Sequence, residues 1–375
     1  MPDEPRSETV PARTDGSRAA RLARHAAVST ALSLHSDRRL RELVDAAPRV
    51  GAGIGGETSS LDVDGIPVFV KRVRLSDLER RADNVRSTAN LFDLPTFCHY
   101  GVGTIGAPGF GAWRELAVHV MTTGWVNAGE HEGFPLMHHW RVLPDGGRPL
   151  PDELADVDRA VEYWGGGTAV RRRIEALRDS SASIVLFLEH VPQTLHDWLG
   201  VQVGAGGETA ERACALVEDG LRDGIAFMRS RGLLHFDAHF ENVLTDGERL
   251  YFADFGLAIS SGFDLSPEEV DFVAAHQDYD DCYGVTHLVS WLAVALFGCG
   301  PEERRALVRS WAQGSPPTDV SAGVAATLVR HAPVAAVVGD FYRAFQRESR
   351  ATPYPWEAVD RLGRADRGPG RAGAR

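Results

Sequence analysis

Lysine is almost absent from this chain: of 40 basic residues 39 are arginine, and the exception, Lys71, ends the apolar run Ile66-Pro67-Val68-Phe69-Val70. Cysteine is nearly as scarce. Cys98, Cys214, Cys282 and Cys299 lie far apart with no paired spacing, which excludes a disulfide framework and a zinc site and suits a reducing cytosol. Basic charge is in deficit, and a net charge of −12 argues against a general nucleic-acid binder. Long apolar runs are missing too. The most apolar stretch, residues 285–297, is short and carries His287 and Ser290, so it reads as a buried helix and not a membrane span. The Arg-bearing N-terminus lacks the apolar core of a signal peptide. These absences predict a cytoplasmic, globular protein with neither nucleic acid nor membrane as partner.

The solitary lysine points to a position where a planar guanidinium cannot substitute. A compact ammonium on a flexible stem suits a phosphate oxygen and a carboxylate held close together. Around it the pattern is strand-like: from Val50 come a strand, the glycine loop Gly51-Ala52-Gly53-Ile54-Gly55-Gly56, a second strand, the turn Asp64-Gly65 and the strand that ends in Lys71. The loop fits G-x-G-x-x-G. A dinucleotide fold needs a helix directly after it, and a hairpin follows instead, which favours a flap over nucleotide phosphates.

Ahead of the strands, residues 18–46 show helical spacing in two pieces, a helical extension; residues 1–17 and 363–375 have the composition of mobile tails. The strand-like run Ile184 to Leu188 ends at Glu189-His190-Val191-Pro192, and helical signals dominate beyond it. A boundary near 190 therefore divides a first lobe, 47–190, from a second, 191–362, with a polar insertion over about 144–182. A helix carrying Val217, Leu221, Ile225 and Met228 stops at Arg231-Gly232.

The segment His235-Phe236-Asp237-Ala238-His239-Phe240-Glu241-Asn242 is followed, seventeen residues after Asp237, by Asp254-Phe255-Gly256. Turn-forming tendencies explain each of these residues singly but not their joint spacing. With the glycine loop and Lys71, this set resembles the protein kinase superfamily. The resemblance implies a two-lobed α+β fold, a small antiparallel-sheet lobe joined to a mainly helical one, and Mg²⁺- and ATP-dependent transfer to a hydroxyl. It implies that Gly51, Gly53 and Gly56 cover the phosphates, that Lys71 anchors them and that Glu115 pairs with Lys71. Asp237 would accept the hydroxyl proton, Asn242 and Asp254 would hold Mg²⁺, and Glu189 to Val191 would offer backbone groups to adenine. Asp281 or Asp280 would brace the catalytic loop.

Three departures qualify the likeness. His239 stands where protein kinases usually carry lysine, which is similar to aminoglycoside phosphotransferases, and Phe236 replaces the usual arginine, which leaves loop phosphorylation without an adjacent cation. No Ala-Pro-Glu follows Asp254-Phe255-Gly256. From Leu250 to Pro301 there are eight carboxylates and no Lys or Arg, a face suited to a cationic acceptor. The expected acceptor is Ser or Thr of a protein, with a cationic, hydroxyl-bearing small molecule as the alternative, and a non-catalytic ATP-binding scaffold as the alternative outside enzymes. The histidines of His131-Glu132-Gly133-Phe134-Pro135-Leu136-Met137-His138-His139 do not have zinc-site spacing.

Overall fold

The computed structural model describes residues 17–53, 55–145 and 148–366. The tails expected at 1–17 and 363–375 lie outside these residues, except Ser17 and the end of the last helix. Helices α1 (Arg18–Ser33) and α2 (Asp37–Ala46) open the chain, and Ser17 and Ser36 cap them by accepting first-turn backbone N–H groups.

Five antiparallel strands follow, β1 (Arg49–Gly53), β2 (Gly56–Val63), β3 (Ile66–Leu75), β4 (Met137–Pro144) and β5 (Ala182–Glu189), in the spatial order β1-β2-β3-β5-β4. Val63 faces Ile66 across a two-residue turn in which Asp64 and Gly65 have φ of 53° and 81°, the positive dihedrals that dipeptide favours. Because strand side chains alternate, Val68 and Val70 point to one face and Phe69, Lys71, Val73 and Leu75 to the other. The first face packs on Val28 and Leu32 of α1 and Leu40 and Val44 of α2. The second meets Trp113 and Leu116 of helix α3 (Ala112–Ala128), so alternation alone delivers Lys71 to that helix.

Between β4 and β5 the expected insertion is three helices, α4 (Asp152–Ala155), α5 (Val157–Tyr163) and α6 (Thr168–Arg178). It is no surface appendage. Trp164, Val170 and Ile174 share the main core with Phe92, Phe110 and Phe345, and Arg350 donates to the Tyr163 carbonyl at 2.7 Å while lying 4.1 Å over its ring. The insertion thereby bridges to the helical half of the molecule.

That half holds β6 (Gln193–Thr194), α7 (Leu195–Ala205), α8 (Gly207–Ser230), β7 (Leu233–Leu234), β8 (Val243–Thr245), β9 (Leu250–Phe252) and β10 (Ile259–Ser260). After them come α9 (Pro267–Ala275), α10 (Tyr279–Phe297), α11 (Pro301–Ala312), α12 (Ala322–Arg347) and α13 (Trp356–Asp366). Among single described helices, α12 is the one long and apolar enough to cross a membrane; here Val324, Leu328, Val338 and Phe341 of α12 are buried in the protein core. The architecture is mixed α+β with a small antiparallel sheet.

Candidate active site between the sheet and the helical half

Lys71 Nζ lies 2.7 Å from Glu115 Oε1 and 2.8 Å from Asp254 Oδ1. Glu115 is in the first turn of α3, whose position is fixed by two other buried pairs. Glu79 accepts the Ala112 N–H at 2.7 Å and is held by Arg173 of α6 at 2.9 Å. Arg114 reaches Glu269 in the first turn of α9, also at 2.7 Å. Removing one partner of such a pair strands a buried charge, at a cost of about 3–5 kcal/mol. The helix therefore has little freedom to carry Glu115 away from Lys71.

Two carboxylates share the single ammonium, and their environments separate them. Burial works to raise Asp254, but Lys71 outweighs it and holds that carboxyl at about 2. Burial raises Glu115 to about 7 against the pull of Lys71, with Asp254 adding to the rise. Lys71 itself is raised: burial opposes its charge, and the two carboxylates more than restore it.

Asp237 sits on a loop braced from below by Asp280, whose oxygens accept the His235 and Phe236 N–H groups at 2.6 and 2.8 Å. Of the two candidates for that role, the structure selects Asp280; Asp281 pairs with Arg229. His235 donates to the Ala253 carbonyl at 3.0 Å, tying this loop to the one that carries Asp254. Phe236 and Asp254 both have left-handed backbones, φ 64° and 59°, a strain that such packing sustains and that collects at functional sites. Asn242 Nδ2 donates to Asp237 Oδ2 at 3.2 Å, whereas Asp237 Oδ1 is buried without a hydrogen-bond partner. Burial raises Asp237 to about 7, partly offset by His239. Burial disfavours the His239 cation, but its bond to Glu241 at 2.9 Å and the nearby Asp237 raise it on balance.

Asp237, His239, Asn242, Asp254 and Glu115 line one cleft of about 320 Å³. Asp254 and Asn242 are the residues that would hold a divalent ion shared with a phosphate. Among the described residues no three His, Cys, Asp or Glu side chains form a metal cage. Mg²⁺ does not need one, since it takes most of its ligands from phosphate and water and only one or two from protein. The donor set fits Mg²⁺ brought in with a nucleotide.

The glycines of the loop have different surroundings. Gly51 and Gly53 lie within β1, opposite Thr58 and Gly56, and a side chain on Gly53 would meet nothing within 4 Å. Gly56 serves the backbone: its φ is 125° and a Cβ there would stand 2.1 Å from the Arg72 carbonyl. The residue over the site is Gly55, where a Cβ would come 3.0 Å from Asp254 and 3.3 Å from Lys71.

Of the backbone groups expected to meet adenine, the Glu189 N–H is already engaged. The Glu189 N–H donates to the Leu136 carbonyl at 2.7 Å and its carboxylate binds Arg21 of α1 at 2.7 Å, so neither is available to a base. Val191 lies past the end of β5 and is half-buried. Part of the acidic stretch is paired: Asp254 with Lys71, Glu269 with Arg114, Asp278 and Asp281 with Arg229, and Asp280 with the His235 and Phe236 N–H groups. Asp264, Glu268, Asp271 and Asp278 remain exposed.

One contributor escaped the sequence reading. Residues 101–111 contain five glycines, all of which line the same cleft as Gly55. A Cβ on Gly101 would stand 2.0 Å from Asp237 Oδ1, so this segment lies directly on the unpartnered oxygen. Arg173 holds it by donating to the Gly109 carbonyl at 3.0 Å. The density of glycine was the available signal.

Compared with known proteins, the chain matches no family model and no curated sequence.

Proposed function

We propose that this chain is a Mg²⁺- and ATP-dependent phosphotransferase with a protein kinase-like, two-lobed fold, acting on an alcohol. The observation that carries the reading is the convergence of Lys71, Glu115, Asp254, Asn242 and Asp237 on one cleft from strands, a helix and loops some 180 positions apart. Lys71, fixed by Glu115, orients the phosphates of ATP. Asp254 and Asn242 would hold Mg²⁺, which supplies charge neutralisation at the phosphates when bound. Asp237 Oδ1 takes the proton of the acceptor hydroxyl as its oxygen bonds to the γ-phosphorus and the bond to the β,γ-bridging oxygen breaks, releasing ADP. Positioning supplies most of the rate, on the order of 7–11 kcal/mol for well-oriented reactants.

A specific observation favours a small acceptor over a protein serine or threonine. Asp237 is roofed by the 101–111 segment, and the short stretch after Asp254-Phe255-Gly256 is docked on the sheet half, with the Asp264 N–H donating to Thr88 Oγ1 at 2.9 Å. Both features close the approach that an extended peptide would use. Incubation with γ-labelled ATP and Mg²⁺ should move label to a hydroxyl compound, and Asp237→Asn should abolish it. Nucleotide binding without transfer to any alcohol would favour the scaffold reading.

A further inference from the structure

A second cavity, of about 460 Å³, lies on the other side of the Gly101–Val102–Gly103 strip. Val102 lines it, while Gly101 and Gly103 line the cleft that holds Asp237 and Asp254. The two spaces are therefore separated by one thickness of backbone, with Asp237 Oδ1 at the partition. In-line transfer requires the attacking oxygen to approach the γ-phosphorus from the side away from ADP. With the nucleotide held by Asp254 and Lys71, an acceptor in the second cavity would reach Asp237 Oδ1 once Gly101 moves aside.

The cavity has the character of a ligand site. Thr286 is 5% exposed, lines it, and its Oγ1 has no hydrogen-bond partner, a cost the fold bears without structural return. Ser290 adds a second hydroxyl. Trp291 is half-buried, and its Nε1 donates to His196 Nδ1 at 3.0 Å, which fixes the indole at the wall. The volume and the mixture of aromatic surface with a few polar groups are those of small-molecule pockets.

Charge selects the class of occupant. Glu241 is the acidic group at the wall, and it is already bonded to His239 at 2.9 Å and lies 3.4 Å from His196, while Arg304 contributes a cation. Nothing here is left over for a polycation. We propose that this cavity is the acceptor site of the phosphotransferase and that it takes a compact, neutral, polyhydroxylated ring whose apolar face lies on Trp291 and whose hydroxyls bond Thr286 and Ser290. One hydroxyl displaces Gly101 from Asp237 Oδ1, gives its proton to that oxygen and accepts the phosphoryl group from ATP, leaving ADP. This rests on the function proposed above.

The test is a transfer assay with Mg²⁺ and labelled ATP against glucose, N-acetylglucosamine and myo-inositol, with kanamycin and a Ser/Thr peptide library as the competing classes. ATP affinity is measured by calorimetry on the same preparation. Label is expected in the neutral polyols. Thr286→Val should raise the acceptor KM about tenfold, as loss of one buried hydrogen bond does, and Trp291→Ala should raise it further, with ATP affinity within twofold of wild type. Label confined to kanamycin or peptide, no label in the polyols while ATP binds, or unchanged acceptor KM in both variants would overturn the assignment. Absence of ATP binding would instead remove the function on which it rests. Thr286→Val is nearly isosteric and keeps the test open should Trp291→Ala fold poorly.

Discussion

Replacing Asp237 by asparagine should stabilise this protein while abolishing phosphoryl transfer. Burial raises the Asp237 carboxyl from its ordinary value of 3.8 to about 7, and His239, Lys71 and Asn242 offset only part of that effect. A shift near three units corresponds to roughly 4 kcal/mol at 1.36 kcal/mol per unit, an upper bound that partial solvation reduces to about 2–4 kcal/mol. Because the folded value is the higher one, Asp237 favours the fold fully below pH 3.8, and that contribution is lost as pH rises through about 7. Asparagine keeps an oxygen to accept from Asn242 and carries no charge to desolvate. The difference in stability, variant minus wild type, should therefore grow from pH 4 to 7 and level off above. Thermal or urea unfolding from pH 4.5 to 8.5 would show it, as a rise of roughly 3–8 °C in Tm at pH 8. Equal or lower stability of the variant at pH 8, or a gain independent of pH, would refute the argument that this carboxylate is held in the cleft at the expense of the fold.

Lys71→Arg keeps the charge but must place a wider fork between Glu115 and Asp254 in a space where Lys71 is 4% exposed, so kcat/KM should fall by about 100-fold or more, a loss of ~2.7 kcal/mol in transition-state stabilisation; steady-state kinetics would check it. Gly101→Ala puts a Cβ 2.0 Å from Asp237 Oδ1, and should lower kcat at least about tenfold, read by steady-state kinetics. Arg173→Met leaves Glu79 buried without its cation and frees the 108–109 carbonyls, and should cost about 3–5 kcal/mol by urea unfolding. Its KM for ATP should rise as well, because Glu79 sets the start of the helix that carries Glu115.

Local chemistry explains what the sequence disclosed. The Asp64-Gly65 turn fixes the pairing of β2 with β3, period-two alternation then sends Lys71 towards α3, and the two helices before the sheet announce themselves by spacing and serine caps. Lys71, Glu115 and Asp254 meet as expected, and Asp237 and Asn242 share their cleft. Contacts between distant segments were harder to read. Arg173 and Glu79 are 94 positions apart, and among 39 arginines nothing marks Arg173 as the one that positions α3. The N–H of Glu189 is lost to Leu136, and its carboxylate to Arg21, 168 positions away. That Gly55 and not Gly56 approaches Asp254 and Lys71 turns on a strand register that a glycine-rich string leaves open. Composition counts the acidic charges of that stretch without showing which are paired, because partners such as Arg114 and Arg229 come from other elements.

The central claim is that the lone lysine and two aspartates form a site for a metal-bound triphosphate. Titration of ATP into the protein by calorimetry, with Mg²⁺ and with EDTA, tests it most directly. Binding that requires Mg²⁺ and is lost in Asp254→Asn is the expected result; no binding with Mg²⁺ present, or binding indifferent to both the metal and Asp254, would contradict it.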